Sequence, residues 1–240
     1  MRERAPAKLT LSLRVTGVRP DGYHLLDAEM VTLDLADELA FSEGDGLEVA
    51  WLPPGDARAT GLAVPVDEDN LVRRALHAVN RTAHVTLTKR IPAGGGLGGG
   101  SADAAAVLRW AGCDDLAVAA SLGADVPFCV RGGRARVTGI GDVLEPLPPV
   151  ERTFTLLTPP FGVSTVEVYR QWDRMGGPKA DGPNDLEPAA LVVEPRLVTW
   201  RGRLAEATGQ APVLAGSGST WFVEGAFPGE DLVVTRTSRP

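Results

Sequence analysis

Six glycines occupy the seven positions from 94 to 100, within the segment PAGGGLGGGSADAAAVLRW at residues 92–110. The alanine-rich run after them predicts a helix from Ala102 to Trp110, and HVTLTKRI before them alternates like a strand. A strand, a glycine run and a helix in this order point unpaired backbone N–H groups at one place, with the positive end of the helix dipole behind them. Glycine also leaves no Cβ to keep a phosphate oxygen away. The segment therefore predicts a phosphate-binding loop.

The glycine segment has three alternative interpretations: two named glycine motifs and a flexible linker. The Walker motif requires a lysine after its last glycine, where this chain has Ser101. A dinucleotide-binding fingerprint fits formally at Gly94, Gly96 and Gly99, but the sequence has alanine where its acidic residue is expected, about 20 residues later. A flexible linker rarely runs directly into a strong helix. We therefore favour the phosphate loop and keep a dinucleotide-binding protein as an alternative.

Two polar residues begin the predicted helix. Ser101 occupies the expected N-cap, where its hydroxyl either caps the helix or binds a phosphate or its metal ion. Asp103 suits the helix dipole but would repel a phosphate, so we expect it to point outward.

Composition limits the classes of function. The 240 residues include 44% hydrophobic ones, enough for a substantial core, and the net charge of −7 argues against a nucleic-acid binder with a broad basic face. No apolar run approaches the roughly 18 residues of a membrane-spanning helix. Two cysteines and three scattered histidines exclude a disulfide framework or a spaced metal cluster. We expect a cytoplasmic protein with no nucleic-acid or membrane partner, and we assign no oligomeric state.

Basic residues comprise 21 arginines and only three lysines, Lys8, Lys89 and Lys179. The three lysines either occupy positions that need a compact point charge, or they are present by chance.

Strands and helices follow each other in mixed order. KLTLSLRV (8–15) alternates strictly, which predicts its four apolar residues on one face of a strand and Lys8 and Thr10 on the other. Helical spacing recurs in residues 67–82 and 114–123, and further strands are expected in GGRARVTGI, RTFTLLTPP and APVLAG. This order favours an α+β fold over a parallel doubly wound sheet. A change of composition at VLEPLPPVER (143–152) predicts two domains, 1–148 and 149–240.

Three segments together resemble the GHMP family of small-molecule kinases: APAKLTLSLRVTGVRPDGYHLLD, PAGGGLGGGSADAAAVL and GADVPFCVRG. NDLE and LAGSGSTWF also fit, so the likeness spans nearly the whole chain. The resemblance implies a two-domain α+β fold, with the active site in the cleft between an ATP-binding domain (1–148) and a substrate-binding domain (149–240). The Gly-Tyr-His turn narrows it to the branch that uses ATP and Mg²⁺ to phosphorylate the 2-hydroxyl of 4-diphosphocytidyl-2-C-methyl-D-erythritol, in the non-mevalonate isoprenoid pathway.

The resemblance also implies roles for individual residues. Lys8 and Asp125 correspond to the catalytic pair, with Asp125 accepting the proton of the substrate hydroxyl, and Ser101 is the candidate metal ligand. Substrate-binding residues are Thr10, Tyr23, His24, Asp125, Thr165 and Tyr169, of which Tyr23 and His24 hold the cytosine. Nucleotide-binding residues are Asn70, Leu71, Lys89, Pro92, Ala93, Gly94, Gly95, Gly96, Leu97, Gly98, Gly99, Gly100, Ser101 and Ala102.

One position departs from the family pattern, which has asparagine where this chain has Thr10. A hydroxyl keeps one hydrogen bond but not the several of an amide. Taken singly, Asp125 is better explained as a turn residue and Lys8 as a solvated strand position. Their joint occurrence with the glycine loop and the Tyr23-His24 turn favours the catalytic pair. The segment AGSGST (215–220) is either a tight turn or a second backbone surface closing on the ligand. Another GHMP kinase, acting on homoserine, mevalonate or a sugar, remains the alternative function.

Overall fold

The computed structural model describes residues 1–51 and 64–238. The first sheet contains β1 (Arg2–Val18), β2 (His24–Ser42), β3 (Gly46–Trp51), β4 (His84–Lys89), β5 (Arg134–Gly139) and β6 (Val143–Pro146), in the order β3-β4-β2-β5-β6 with β1 beside β2. The second contains β7 (Thr153–Leu157), β8 (Val213–Leu214), β9 (Trp221–Glu224) and β10 (Leu232–Arg236), in the order β10-β7-β9-β8. Pairing is antiparallel except between β3 and β4.

Seven helices accompany the sheets in the described ranges: α1 (Leu71–Ala78), α2 (Gly99–Trp110), α3 (Leu116–Leu122), α4 (Val126–Arg131), α5 (Thr165–Arg174), α6 (Glu187–Val193) and α7 (Leu197–Thr208). Side chains begin three of them, because Asn70, Asp115 and Ser164 each accept a hydrogen bond from an N–H of the following turn. The predicted α+β class is confirmed. None of these helices combines the length and the apolar character that crossing a bilayer requires.

Buried apolar side chains form two cores, and each draws on both sides of residue 148. The first core packs α1 to α4 against the first sheet and also takes Phe154 and Leu156 from β7. The second core packs α5 to α7 against the second sheet and also takes Phe128 and Val137 from the first half of the chain. The two halves are therefore held together by shared apolar contacts. The boundary at residue 148 stays a prediction.

A β-bulge in β1 changes which face its side chains occupy. The register with β2 shifts between Thr10 and Ser12, so Leu9 enters the first core whereas Leu13 enters the second. The expectation that the apolar residues of 8–15 share one face is therefore wrong. The alternation alone did not reveal the inserted residue. One strand thus supplies side chains to both cores.

The loop before α6 clamps this strand. The Leu13 N–H donates to the carbonyl of Pro183 at 2.9 Å, and the Asp185 N–H donates to the carbonyl of Leu13 at 2.9 Å. The buried Asp185 carboxylate accepts hydrogen bonds from Arg14 Nη1 at 2.7 Å, from the Val15 N–H at 3.1 Å and from the Ala180 N–H at 3.0 Å. This carboxylate therefore fixes the course of β1 where it passes between the cores.

Asp185→Ala should lower the free energy of unfolding by about 2–4 kcal/mol, because one buried and one partly buried backbone donor lose their acceptor. Urea denaturation measures the change. Asp181→Ala, an exposed acid in the same loop, is the matched control and should change stability by less than about 0.5 kcal/mol. Equal effects of the two substitutions would contradict the clamp.

Candidate active site

A cavity of about 950 Å³ lies where β1, the glycine loop, α5 and the segment 215–217 meet. It is lined by almost all of the residues that the sequence singled out: Lys8, Thr10, Tyr23, His24, Asn70, Leu71, Lys89, Pro92, Ala93, Gly94, Gly95, Gly96, Leu97, Gly98, Gly99, Gly100, Ser101, Asp125, Thr165 and Tyr169. Ala102 does not line it, because its side chain lies in the first core and its N–H donates to the carbonyl of Gly98 at 2.8 Å. The candidate residues thus share one cavity with that exception.

The glycine loop presents a set of free amides. α2 begins at Gly99, with Gly98 as its N-cap at φ 68°. Within the described residues, the N–H groups from Gly96 to Ser101 have no hydrogen-bond partner. These donors stand at the positive end of the helix dipole and on the wall of the cavity. Such a set of donors suits a phosphate chain.

Two of the glycines are required by close contacts. A Cβ at Gly96, where φ is 78°, would lie 2.6 Å from the carbonyl oxygens of both Ala215 and Gly218. A Cβ at Gly98 would lie 2.7 Å from Cγ of Lys8. The loop therefore touches β1 on one side and the segment 215–218 of the second half on the other.

Both expectations about the start of α2 are wrong. Ser101 is the third residue of the helix and not its N-cap, because the free φ of glycine lets α2 begin earlier. Its half-buried side chain lines the cavity, where it can reach a metal ion. Asp103 does not point outward but is buried, and its Oδ2 accepts a hydrogen bond from Lys89 Nζ at 2.7 Å.

Lys89 lies between two buried carboxylates. Its Nζ donates to Asp37 as well as to Asp103, and all three side chains are at most 4% exposed. Burial raises the pKa of Asp103 to about 7, against the attraction of Lys89. Burial alone would lower the pKa of Lys89. The negative charges of Asp103 and Asp37 outweigh this effect, so the pKa of Lys89 is raised. Oδ1 of Asp103 is buried without a hydrogen-bond partner among the described residues.

Lys8 and Asp125 form an ion pair at the edge of the cavity. Lys8 Nζ lies 3.2 Å from Asp125 Oδ2, and it also donates to Thr10 Oγ1 at 3.1 Å. The Lys8 side chain is 7% exposed and that of Asp125 is 32% exposed. Asp125 precedes α4 but makes no capping bond with its side chain, so its carboxylate is available to a ligand. The expectation that Lys8 and Thr10 lie on an exposed face is wrong, because the cavity wall covers both.

An aromatic cluster surrounds His24. Its ring centroid lies 4.6 Å from that of Tyr169 and 5.5 Å from that of Trp172, and its Nε2 lies 2.8 Å from Asp173 Oδ1. Burial raises the pKa of Tyr169, and the charge of Asp125 adds to this. Tyr23 is 60% exposed beside the cluster. Sequence reasoning missed Asp173, which lines the cavity, although its spacing of four from Tyr169 places both on one helix face. Trp172 packs in the second core.

The segment 215–217 forms the remaining wall. Gly216 and Ser217 line the cavity, and Ser217 Oγ lies 2.8 Å from Thr165 Oγ1. The buried Asn184 donates through Nδ2 to the carbonyls of Leu214 at 2.8 Å and Gly216 at 2.7 Å. The sequence left open whether this segment is a turn or a ligand-facing surface, and the structure places its backbone at the cavity.

Asn70 and Leu71 line the cavity at the start of α1. The amide of Asn70 caps the helix by accepting from the Val72 N–H at 2.8 Å, and it donates to the carbonyl of Pro65 at 2.6 Å. One donor and one acceptor site of this amide are therefore used within the protein.

Comparisons with known proteins agree with this geometry. Residues 70–133 match the family model described as GHMP kinases N terminal domain. A 4-diphosphocytidyl-2-C-methyl-D-erythritol kinase of Paracoccus denitrificans is 40% identical over 92% of this chain and 85% of that protein. The chain belongs to this branch of the GHMP kinases. A protein of the same description from Ruegeria pomeroyi is 38% identical over 94% of this chain and 88% of its own length.

A solved structure extends the agreement to the fold of this GHMP kinase. The crystal structure of 4-(cytidine 5'-diphospho)-2C-methyl-D-erythritol kinase matches with a TM-score of 0.74 and 30% identity, covering 99% of this chain and all of that chain. The predicted GHMP-kinase fold is therefore confirmed.

Gly98→Ala tests the contact of the glycine loop with Lys8. The added Cβ would displace Lys8, so we expect a large loss of phosphoryl transfer. Gly112→Ala is the matched control, because Gly112 has nearly the same φ, 71°, but nothing within 4 Å of the added atom. Both variants should lose about 1–2 kcal/mol of stability through the left-handed backbone, and only Gly98→Ala should lose activity. Equal activities would contradict the contact.

Asp103 predicts a pH dependence of stability. Its pKa in the folded protein, about 7, lies above the unfolded value, so its contribution is complete below the unfolded pKa and is lost as the pH rises through about 7. Between about pH 4 and 7, wild type should therefore lose stability relative to Asp103→Asn, which does not titrate. Urea denaturation of both proteins across this range measures the difference. Parallel pH profiles would show that Asp103 is ionised throughout.

Proposed function

We propose that this protein transfers the γ-phosphoryl group of ATP to the 2-hydroxyl of 4-diphosphocytidyl-2-C-methyl-D-erythritol, as the names of its relatives suggest. The observation that carries the proposal is the Lys8–Asp125 pair, 3.2 Å apart, at the edge of a cavity whose other wall is a row of free amides. Phosphoryl transfer requires chiefly that the two reactants be positioned and that developing charge be neutralised. An acid, an ammonium and a phosphate cradle in one cavity meet these requirements.

The amides from Gly96 to Ser101 would hold the phosphate chain of ATP. They need no reorganisation, since the loop is fixed by its contacts with Lys8 and with the carbonyls of Ala215 and Gly218. Asn70, Leu71 and Lys89 line the same cavity, and we infer from the family resemblance that they would surround the adenine. Because Nζ of Lys89 is held by two carboxylates, its contribution there is to shape the wall with its stem.

The Mg²⁺ that accompanies ATP would neutralise phosphate charge and take the Ser101 hydroxyl as a protein ligand. Among the described residues, no group of three or more acidic, histidine or cysteine side chains is placed to hold a metal by itself. The donor set therefore fits an ion that arrives already coordinated by phosphate oxygens.

Asp125 would accept the proton of the attacking hydroxyl. Its Oδ2 faces Lys8, and its side chain is one-third exposed to the cavity, so a hydroxyl can reach the carboxylate. Lys8 keeps that carboxylate in place and offsets the negative charge that develops on the transferred group.

The cytidyl half of the acceptor would lie against the aromatic cluster. Tyr23 offers an exposed ring, and His24 is held by Tyr169, Trp172 and Asp173. Homoserine and mevalonate have no base to stack on these rings, which favours the cytidyl substrate over the other family reactions. We place the reaction in the cytoplasm, since Cys113 and Cys129 are both free thiols.

An ADP-release assay with MgATP tests the function. We expect turnover with the cytidyl substrate, and none above background with homoserine, mevalonate or galactose. Turnover with one of the latter alone would replace the proposed substrate. Stabilisation by NAD(H) but not by MgATP in a thermal-shift experiment would reject a kinase.

Asp125→Asn should lower kcat by about 100- to 10,000-fold, the usual contribution of a positioned general base. The affinity for MgATP should stay nearly unchanged, because the amide cradle is untouched. Asp114→Asn, at an exposed position two residues before α3, is the matched control and should behave as wild type. Unchanged turnover of Asp125→Asn would remove this residue from the mechanism.

A further inference from the structure

The ammonium group of Lys8 is held from two sides. Its Nζ donates a hydrogen bond to Thr10 Oγ1 at 3.1 Å and forms an ion pair with Asp125, with Nζ 3.2 Å from Oδ2. Among the described residues, Thr10 is the one hydrogen-bond acceptor of this ammonium. An ammonium has three N–H donors, so the bond to Thr10 orients the group and leaves donors for a ligand.

Thr10 is placed to serve this lysine. The two residues are neighbours on the same face of β1, before the bulge, and Thr10 is 2% exposed. Its hydroxyl oxygen accepts from Lys8, and Gly216 is their neighbour, since a Cβ added to this glycine would lie 3.7 Å from Lys8 Nζ and 3.9 Å from Thr10 Oγ1. The hydroxyl is therefore buried beside the ammonium that it serves.

We propose that Thr10 is a positioning residue that holds the Lys8 ammonium between Asp125 and the phosphate cradle, and is not a direct contact of the acceptor substrate. This inference rests on the proposed function. Without the hydroxyl, the ammonium would keep only its ion pair with Asp125, and no hydrogen bond to the protein would fix the direction of its N–H groups. Lys8 would then meet the transferred group in the productive orientation less often, while the surfaces that bind both substrates would be unchanged.

Steady-state kinetics of Thr10→Val and Thr10→Ser separate the two roles. Valine keeps the shape and removes the acceptor. We expect kcat to fall by about ten- to a hundredfold, as for other small misplacements of a catalytic group, with the KM of MgATP and of the acceptor changed by less than about threefold. Thr10→Ser, which keeps the hydroxyl, should retain most of kcat. A raised KM of the acceptor at unchanged kcat would overturn the proposal in favour of direct contact, and so would a serine variant as slow as the valine variant.

A stability control excludes a general folding defect. Thr155 is fully buried in β7, away from the cavity, and its hydroxyl accepts from the Phe227 N–H at 2.9 Å and donates to the Gly225 carbonyl at 2.8 Å. Thr155→Val should therefore lower the thermal midpoint without changing kcat. If a loss of stability alone lowered kcat, both valine variants would be slow, and the proposal would fail.

The three lysines of the chain allow a test that needs no substrate. With ¹⁵N-labelled lysine, the side-chain spectrum contains three Nζ signals, and Lys8→Met identifies the one from Lys8. In wild type and Thr10→Ser, the Lys8 ammonium should be more ordered than that of the exposed Lys179, and Thr10→Val should bring the two closer. Equal order of Lys8 in wild type and Thr10→Val would overturn the positioning role. Because no turnover is measured, a wrong choice of substrate would leave this result unaffected.

Discussion

The absence of two side chains, at Gly96 and Gly98, allows three separate parts of the chain to meet. The loop lies against Lys8 of β1 on one side and against the carbonyls of Ala215 and Gly218 on the other, at distances where a methyl group does not fit. The same tight packing turns the amides of the loop towards the cavity. The same short segment thus provides both the candidate binding surface and the tertiary contacts.

The two lysines of the cavity illustrate how burial separates the roles of identical groups. Lys89 is enclosed by Asp37 and Asp103, so its charge is used inside the protein and supports the packing beneath α2. Lys8 has one carboxylate and one hydroxyl, and the carboxylate is open to the cavity. A charge that is only partly compensated remains available to an anionic ligand. The ammonium of Lys89 is thus enclosed by protein carboxylates, whereas Lys8 and its partner Asp125 line the cavity.

Local patterns in the sequence were sufficient for the glycine loop and the helix after it, because backbone freedom and helix propensity act over a few residues. The ion pair of Lys8 and Asp125 followed from motif resemblance, since nothing local indicates a contact between residues so far apart. The bulge after Thr10 could not be predicted, because apolar and polar residues alternate strictly through it in the sequence. The burial of Asp103 could not be predicted either, because its partner Lys89 lies on the separate strand β4. Trp172 and Asp173 contact His24 only because α5 packs beside it.

The bulge of β1 also limits how the chain can be divided. Leu9 and Leu13 serve different cores although they are four residues apart, and β7 divides its residues in the same way. A fragment ending near residue 148 would lack the helices that cover Leu13, Val137 and Phe128. It would therefore expose an apolar surface and would not be an autonomous folding unit. Cutting the polypeptide there would therefore leave buried apolar side chains of both pieces open to solvent.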